Sequence, residues 1–182
     1  MKRRCMGREG YFFLVDSIIA LGILAIGLFA VFSSYSGIPP IRESDILSED
    51  IMDFFAGVKI KELNNEYAGI DGFLWQSGEI NNADNTVLQQ LALFYYQNKT
   101  GIAEKMIANL TINRIPPQYG FEFRIGNMVI YPLNQSQQHI NSKNSSNAII
   151  PSAKLVHGFA DREAGELFGP YKAEAFVWRA SG

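Results

Sequence analysis

The chain has 182 residues and a net charge of −2, from 16 Lys and Arg against 18 Asp and Glu. That length holds one hydrophobic helix and a globular domain of about 140 residues with its own core. A single cysteine, Cys5, excludes an intramolecular disulfide, and the scattered charges lack the basic stripe of a nucleic-acid binder.

Charge is distributed unevenly along the chain. Lys2, Arg3, Arg4 and Arg8 face only Glu9 before Phe12, whereas from Arg42 onward there are 12 Lys and Arg against 16 Asp and Glu. Between them runs Tyr11 to Phe32, YFFLVDSIIALGILAIGLFAVF, with no charge from Ser17 to Ile41. As a helix those residues rise roughly 33 Å, enough to cross the hydrocarbon core of a bilayer. The basic start predicts a cytoplasmic N-terminus and an extracytoplasmic C-terminal domain. Cys5, on the cytoplasmic side, reads either as a juxtamembrane thiol open to lipidation or as an inert residue. One acid, Asp16, interrupts the run, and an aspartate costs about 2.5–3.5 kcal/mol at the centre of a membrane helix. A plain anchor gains nothing from it.

Three readings compete for the first 36 residues. A cleavable secretory signal fits the basic start and the small residues Ser34 and Ser36, but its apolar part is shorter than this one. A plain signal anchor explains length and orientation and leaves Asp16 without a purpose. The third reading rests on the string Arg8-Glu9-Gly10-Tyr11-Phe12-Phe13-Leu14-Val15-Asp16. Basic residues, a glycine, then an aromatic-led apolar helix with an early acid resemble the N-terminal signature of type IV pilins and pilin-like proteins, the archaeal members most closely in style. The resemblance implies a basic leader at 1–10, cut after Gly10 by a prepilin peptidase, with Tyr11 as the mature N-terminus. It implies a transmembrane and filament-core helix at 11–36 and an extracytoplasmic domain at 37–182. It further implies that Asp16 meets the N-terminal amine of a neighbouring subunit. Asp16 is the sixth mature residue where the family's acid, usually glutamate, is commonly the fifth. Ala20, Gly22, Ala25, Gly27 and Ala30 add small side chains that let helices approach closely, with Gly22 and Gly27 as assembly positions.

Ser33 to Pro40 breaks the helix through Gly37, Pro39 and Pro40. Glu43 to Leu63 reads as a helix, with Leu47, Ile51, Phe54, Phe55 and Val58 on one side. Its acids, Glu43, Asp45, Glu49 and Asp50, suit a solvated face matched to the helix dipole better than a metal cluster. Asn64 to Asn85 is turn-rich, with Phe73, Leu74 and Trp75 tucking a loop onto the domain. Asn82-Ala83-Asp84 lacks the spaced ligands of a calcium loop. Thr86–Tyr96 and Gly101–Leu110 read as helices, the first lined by Val87, Leu91, Phe94 and Tyr95, the second by Ile102, Met106 and Leu110. Tyr119, Phe121, Phe123 and Ile125 share one face of a strand, with Glu122 and Arg124 on the other, and Gly126-Asn127 turns into a second strand, Met128 to Tyr131. Asn134 to Asn147 (NQSQQHINSKNSSN) reads as an exposed, mobile polar loop. Ser152–Phe159 and Tyr171–Trp178 form another strand pair, with Gly165 and Gly169 in the turn between them. Helices followed by strands give an α+β fold with an antiparallel sheet of about four strands, the build the resemblance also implies.

Nothing in the chain argues for catalysis. His139 sits in the polar loop and His157 alternates within a strand, neither at metal-ligand spacing. No nucleophile elbow, phosphate loop or dinucleotide fingerprint occurs, and Glu163 and Glu166 read as solvated turn residues. No metal or cofactor is expected. Four Asn-x-Ser/Thr sequons fall in the domain placed outside the membrane, at Asn98, Asn109, Asn134 and Asn144. Asn98, Asn134 and Asn144 are the candidate N-glycosylation sites, and Asn109 falls within a helix. The expected function is a structural filament subunit whose partners are the peptidase, identical or related subunits, and membrane lipid before assembly. The alternative is a membrane-anchored extracytoplasmic binding domain that never polymerises, with an enzyme a distant third.

Overall fold

The computed structural model describes residues 9–36, 43–146, 149, 151–161 and 163–179, with the backbone alone for 9–13, 32–36 and 137–138. The basic residues 2–8, Cys5 and the Gly37-Pro39-Pro40 break lie outside the described residues. The chain divides into two units, Met1–Ile41 and Arg42–Gly182.

The first unit is one helix, α1 (Glu9–Ser36). Its window Leu14–Val31 has a mean hydropathy of 2.5 and no buried residue, so it is long and apolar enough to cross a membrane. It is apolar on all sides, unlike a surface helix of a globular domain.

The second unit is α+β. Helices α2 (Glu43–Gly57), α3 (Phe73–Gln76), α4 (Val87–Tyr96) and α5 (Thr100–Thr111) precede strands β1 (Tyr119–Ile125) and β2 (Met128–Tyr131). Helix α6 (Gln137–Ser145) and strands β3 (Ser152–Asp161) and β4 (Glu166–Arg179) complete it. The sheet order is β2-β1-β4-β3, every neighbouring pair antiparallel. The inserted partner of β1 is therefore β4, paired from Tyr119↔Arg179 to Ile125↔Ala173.

Helices α2, α4 and α5 cover one face of this sheet. On α2 the buried residues Ser44, Ser48, Ile51, Met52 and Phe55 recur at helical spacing, and the Phe55 ring meets Phe123 of β1 edge-on at 5.4 Å. Val87, Leu91 and Phe94 of α4 and Met106, Ile107 and Leu110 of α5 join that core. Acids Glu43 and Asp45 occupy the first turn of α2, where the helix dipole favours them.

Three expectations are corrected. The helix begun at Glu43 stops at Gly57 rather than Leu63, because Lys59 bridges to Thr86 and the buried Ile60 donates its N–H to Asn85, closing a short 3-10 turn at Ile60–Glu62. Strand β4 starts at Glu166 and β3 runs to Asp161, so the turn expected across Ala160–Pro170 shrinks to the residues around Gly165, whose φ is +71°. Within the polar stretch expected as a loop, Gln137–Ser145 is helix α6, opened by Ser136, whose hydroxyl accepts from the His139 N–H at 3.2 Å. That helix lies on the sheet face opposite α2, and its presence makes Glu122 a buried residue instead of a solvated one.

Candidate functional site

Two places carry chemistry that packing alone does not require. The first is the surface of α1. Gly10 and Tyr11 fall in its first turn, so the peptide bond that resembles a processing site lies within helix. Asp16 is exposed, and among the described residues no cation is paired with it. At about 100° per residue, Ala20, Ile23, Gly27 and Ala30 all lie within about 40° of the line of Asp16. The acid therefore heads a stripe rich in small residues, while Gly22 sits about 120° round the helix. A Cβ added at Gly22 or Gly27 would meet nothing within 4 Å, so both positions are bare. Leu24, Ile26 and Phe29 are 64, 71 and 76% exposed. An exposed apolar surface of that size marks a contact with a membrane or with another protein segment.

The second place is a buried ion cluster between β1 and α6, which the sequence reading did not identify. Glu122 has only 1% of its side chain exposed. Its Oε1 accepts from Arg124 Nε at 2.5 Å and from Lys143 Nζ at 2.6 Å, and its Oε2 accepts from Gln135 Nε2 at 2.7 Å. Burial pushes the Glu122 carboxyl up, but hydrogen bonds and charge from Lys143, then from Arg124, outweigh it and hold the group below its usual value. Lys143 also lies 4.7 Å from the Phe176 ring centre, and Arg124 lies 5.0 Å from it on the same ring.

His139 completes the cluster. Its ring meets Trp178 edge-on at 4.8 Å, and Nε2 stands 3.9 Å from Glu122 Oε2, too far for a hydrogen bond. Burial pushes the imidazole down; Glu122 opposes that and Lys143 adds to it, leaving a net downward shift. The Trp178 indole N–H donates to Ser142 Oγ at 3.1 Å, and the ring lies flat against Gly120, where a Cβ would overlap it. His139, Ser142 and Lys143 stand at i, i+3 and i+4, so one polar face of α6 supplies all three of these contacts. That spacing, after the N-cap Ser136, was the available signal.

The remaining residues of interest stand apart. His157 is exposed on β3, and Glu163 and Glu166 are exposed, with Glu166 accepting from Tyr96 at 2.6 Å. Asn98, Asn134 and Asn144 are all exposed, and so is Asn109, on the outer side of α5. Asn98 caps α4 in a left-handed conformation, φ 58°, with Lys99 N–H closing on Phe94 at 2.8 Å. Asn134 and His139 line a cleft of about 480 Å³ beside Tyr119 and Tyr131. The His139 Nε2 atom is itself buried and so is closed to anything in that cleft. Among the described residues no three His, Cys, Asp or Glu converge closely enough to hold a metal ion.

Against models of known protein families, curated proteins and solved structures, the chain finds no match.

Proposed function

We propose that the chain is a structural subunit of a type IV pilus-like surface filament, cut after Gly10 by a prepilin peptidase and assembled through α1. The observation that carries this reading is α1 itself: apolar all round with no residue buried from Leu14 to Val31, yet bearing one carboxylate at Asp16. In a bundle of such helices a carboxylate and a neighbour's N-terminal ammonium attract far more strongly than in water, while either one alone is costly. From the mature N-terminus at Tyr11, Asp16 lies about 7.5 Å along the axis and about 140° round it. An amine that meets it therefore comes from another subunit. Before assembly the helix rests in the membrane, with the N-terminus cytoplasmic and the α+β unit extracytoplasmic.

Mass-spectrometric reading of the mature N-terminus tests the proposal. Tyr11 as the first residue supports it; Met1, or a start at Gly37 after a signal cut behind Ser36, removes it. The alternative, an anchored binding domain that never polymerises, is separated by Asp16→Ala. That change cripples incorporation of a filament subunit and leaves a simple anchor at its normal surface level.

A further inference from the structure

Two buried side-chain nitrogens among the described residues have no hydrogen-bond partner, Gln90 Nε2 and His139 Nε2. The first lies in the core beneath α4 and its residue does not titrate. The second belongs to an imidazole where α6 meets the sheet, and its surroundings define what a proton added there would meet.

From β1, Glu122 and Arg124 face it; from α6 itself, Lys143; from β4, the uncharged ring of Trp178. Of the other charged residues of that stretch of β4, Lys172 and Glu174 are paired with each other at 2.7 Å, and the exposed Arg179, next to Trp178, alternates to the opposite face. Both oxygens of Glu122 are already engaged by Arg124, Lys143 and Gln135. One carboxylate against two cations leaves the cluster at +1 with His139 neutral, and protonation raises it to +2 around a Glu122 side chain that is only 1% exposed. The helix that bears this charge is short and polar, and among the groups that hold it to the sheet are Lys143 and His139, with Ser142 on the Trp178 indole. When it lifts, His139 and Lys143 regain water, and the Trp178 ring, 1% exposed, is uncovered.

We propose that α6 is an acid-released strap, seated over Trp178 at neutral pH and unseated when His139 takes up a proton. The downward shift of the imidazole has the matching sign. A histidine held below its usual 6.5 favours the seated form above that pH, and the preference is lost as pH falls through the folded value. For one such group the ratio of released to seated strap rises at most about tenfold between pH 7.5 and 5.5.

Amide hydrogen exchange on the full chain in detergent micelles, expressed as protection relative to an unstructured chain, reads even a rare opening. Protection of α6 should fall three- to tenfold from pH 7.5 to 5.5, with α4 and α5 unchanged, and His139→Gln should abolish the fall. A change under twofold, an equal change in α4 and α5, or a fall that persists in His139→Gln overturns the proposal. Should that variant not fold, His157→Asn leaves His139 as the sole histidine, and its imidazole can be titrated by NMR. A midpoint below 6.5 supports the strap, and one at or above 6.5 overturns it.

Discussion

Replacing Lys143 with methionine keeps the side chain's length and apolar stem and removes the amine that holds α6 to Glu122. At 2.6 Å and an effective dielectric near 20 the direct attraction is about 6 kcal/mol. Most of that is cancelled by the cost of taking both charges out of water. Breaking a buried pair on one side typically costs about 3–5 kcal/mol, because the other charge is stranded. Here Arg124 and Gln135 still hold the carboxylate, and Lys143 is 19% exposed, so about 2–3 kcal/mol is expected. In urea, followed by near-UV circular dichroism of the chain in micelles, that loss lowers the midpoint by about 1–2 M. Glu122→Gln removes the stranded charge, so the double variant should lose less than the two single losses together, by about 1–3 kcal/mol. The pH dependence has a fixed sign as well. Glu122 is held below its usual 4.5, so its contribution is complete above that pH and is lost as pH falls through the folded value. The gap between wild type and Lys143→Met should therefore close in acid. Losses that add within about 0.5 kcal/mol, or a Lys143→Met chain as stable as wild type, would refute a coupling of α6 to the sheet through this pair.

Asp16→Ala should abolish or severely reduce recovery in sheared filaments while the chain still reaches the membrane, measured by fractionation and immunoblotting. Phe55→Ala empties a fully buried position against Phe123 and should cost about 3–5 kcal/mol, read as a fall in the thermal midpoint of the α+β unit. Gly120→Ala drives a methyl into the face of the Trp178 ring. It should cost about 1–3 kcal/mol and change the tryptophan near-UV signal, whereas Gly101→Ala, with open space around it, should do neither.

Local signals carried much of the fold. The apolar run gave α1, turn chemistry at Gly126-Asn127 placed the β1–β2 hairpin, and helical spacing placed α4 and α5 within a residue or two at each end. Gly126 has φ +59°, the conformation such a turn requires. The misses are of a different kind. That β4 pairs with β1 as well as β3 is a contact across more than 40 residues of chain, invisible to any window. The end of α2 is hidden locally because Val58 continues its apolar spacing, and the bridge from Lys59 to Thr86 overrides that signal.

The ion cluster was hidden for a reason that reaches beyond one residue. A strand with aromatic residues at alternate positions and Glu122 and Arg124 between them reads as half-buried, polar side to water. That inference presumes nothing polar is available to cover the polar side. Here the cover is a helix with hardly any apolar face, which binds through His139, Ser142 and Lys143 rather than through hydrophobic area. Such a helix is invisible to a search for apolar periodicity, because its seam is written in hydrogen-bonding groups. The same fact sets its energetics. A cover held by apolar area is indifferent to pH, whereas one held by a carboxylate, an amine and an imidazole is stable only where all three keep their charge states. The feature that concealed α6 in the sequence is thus the one that makes its attachment titratable.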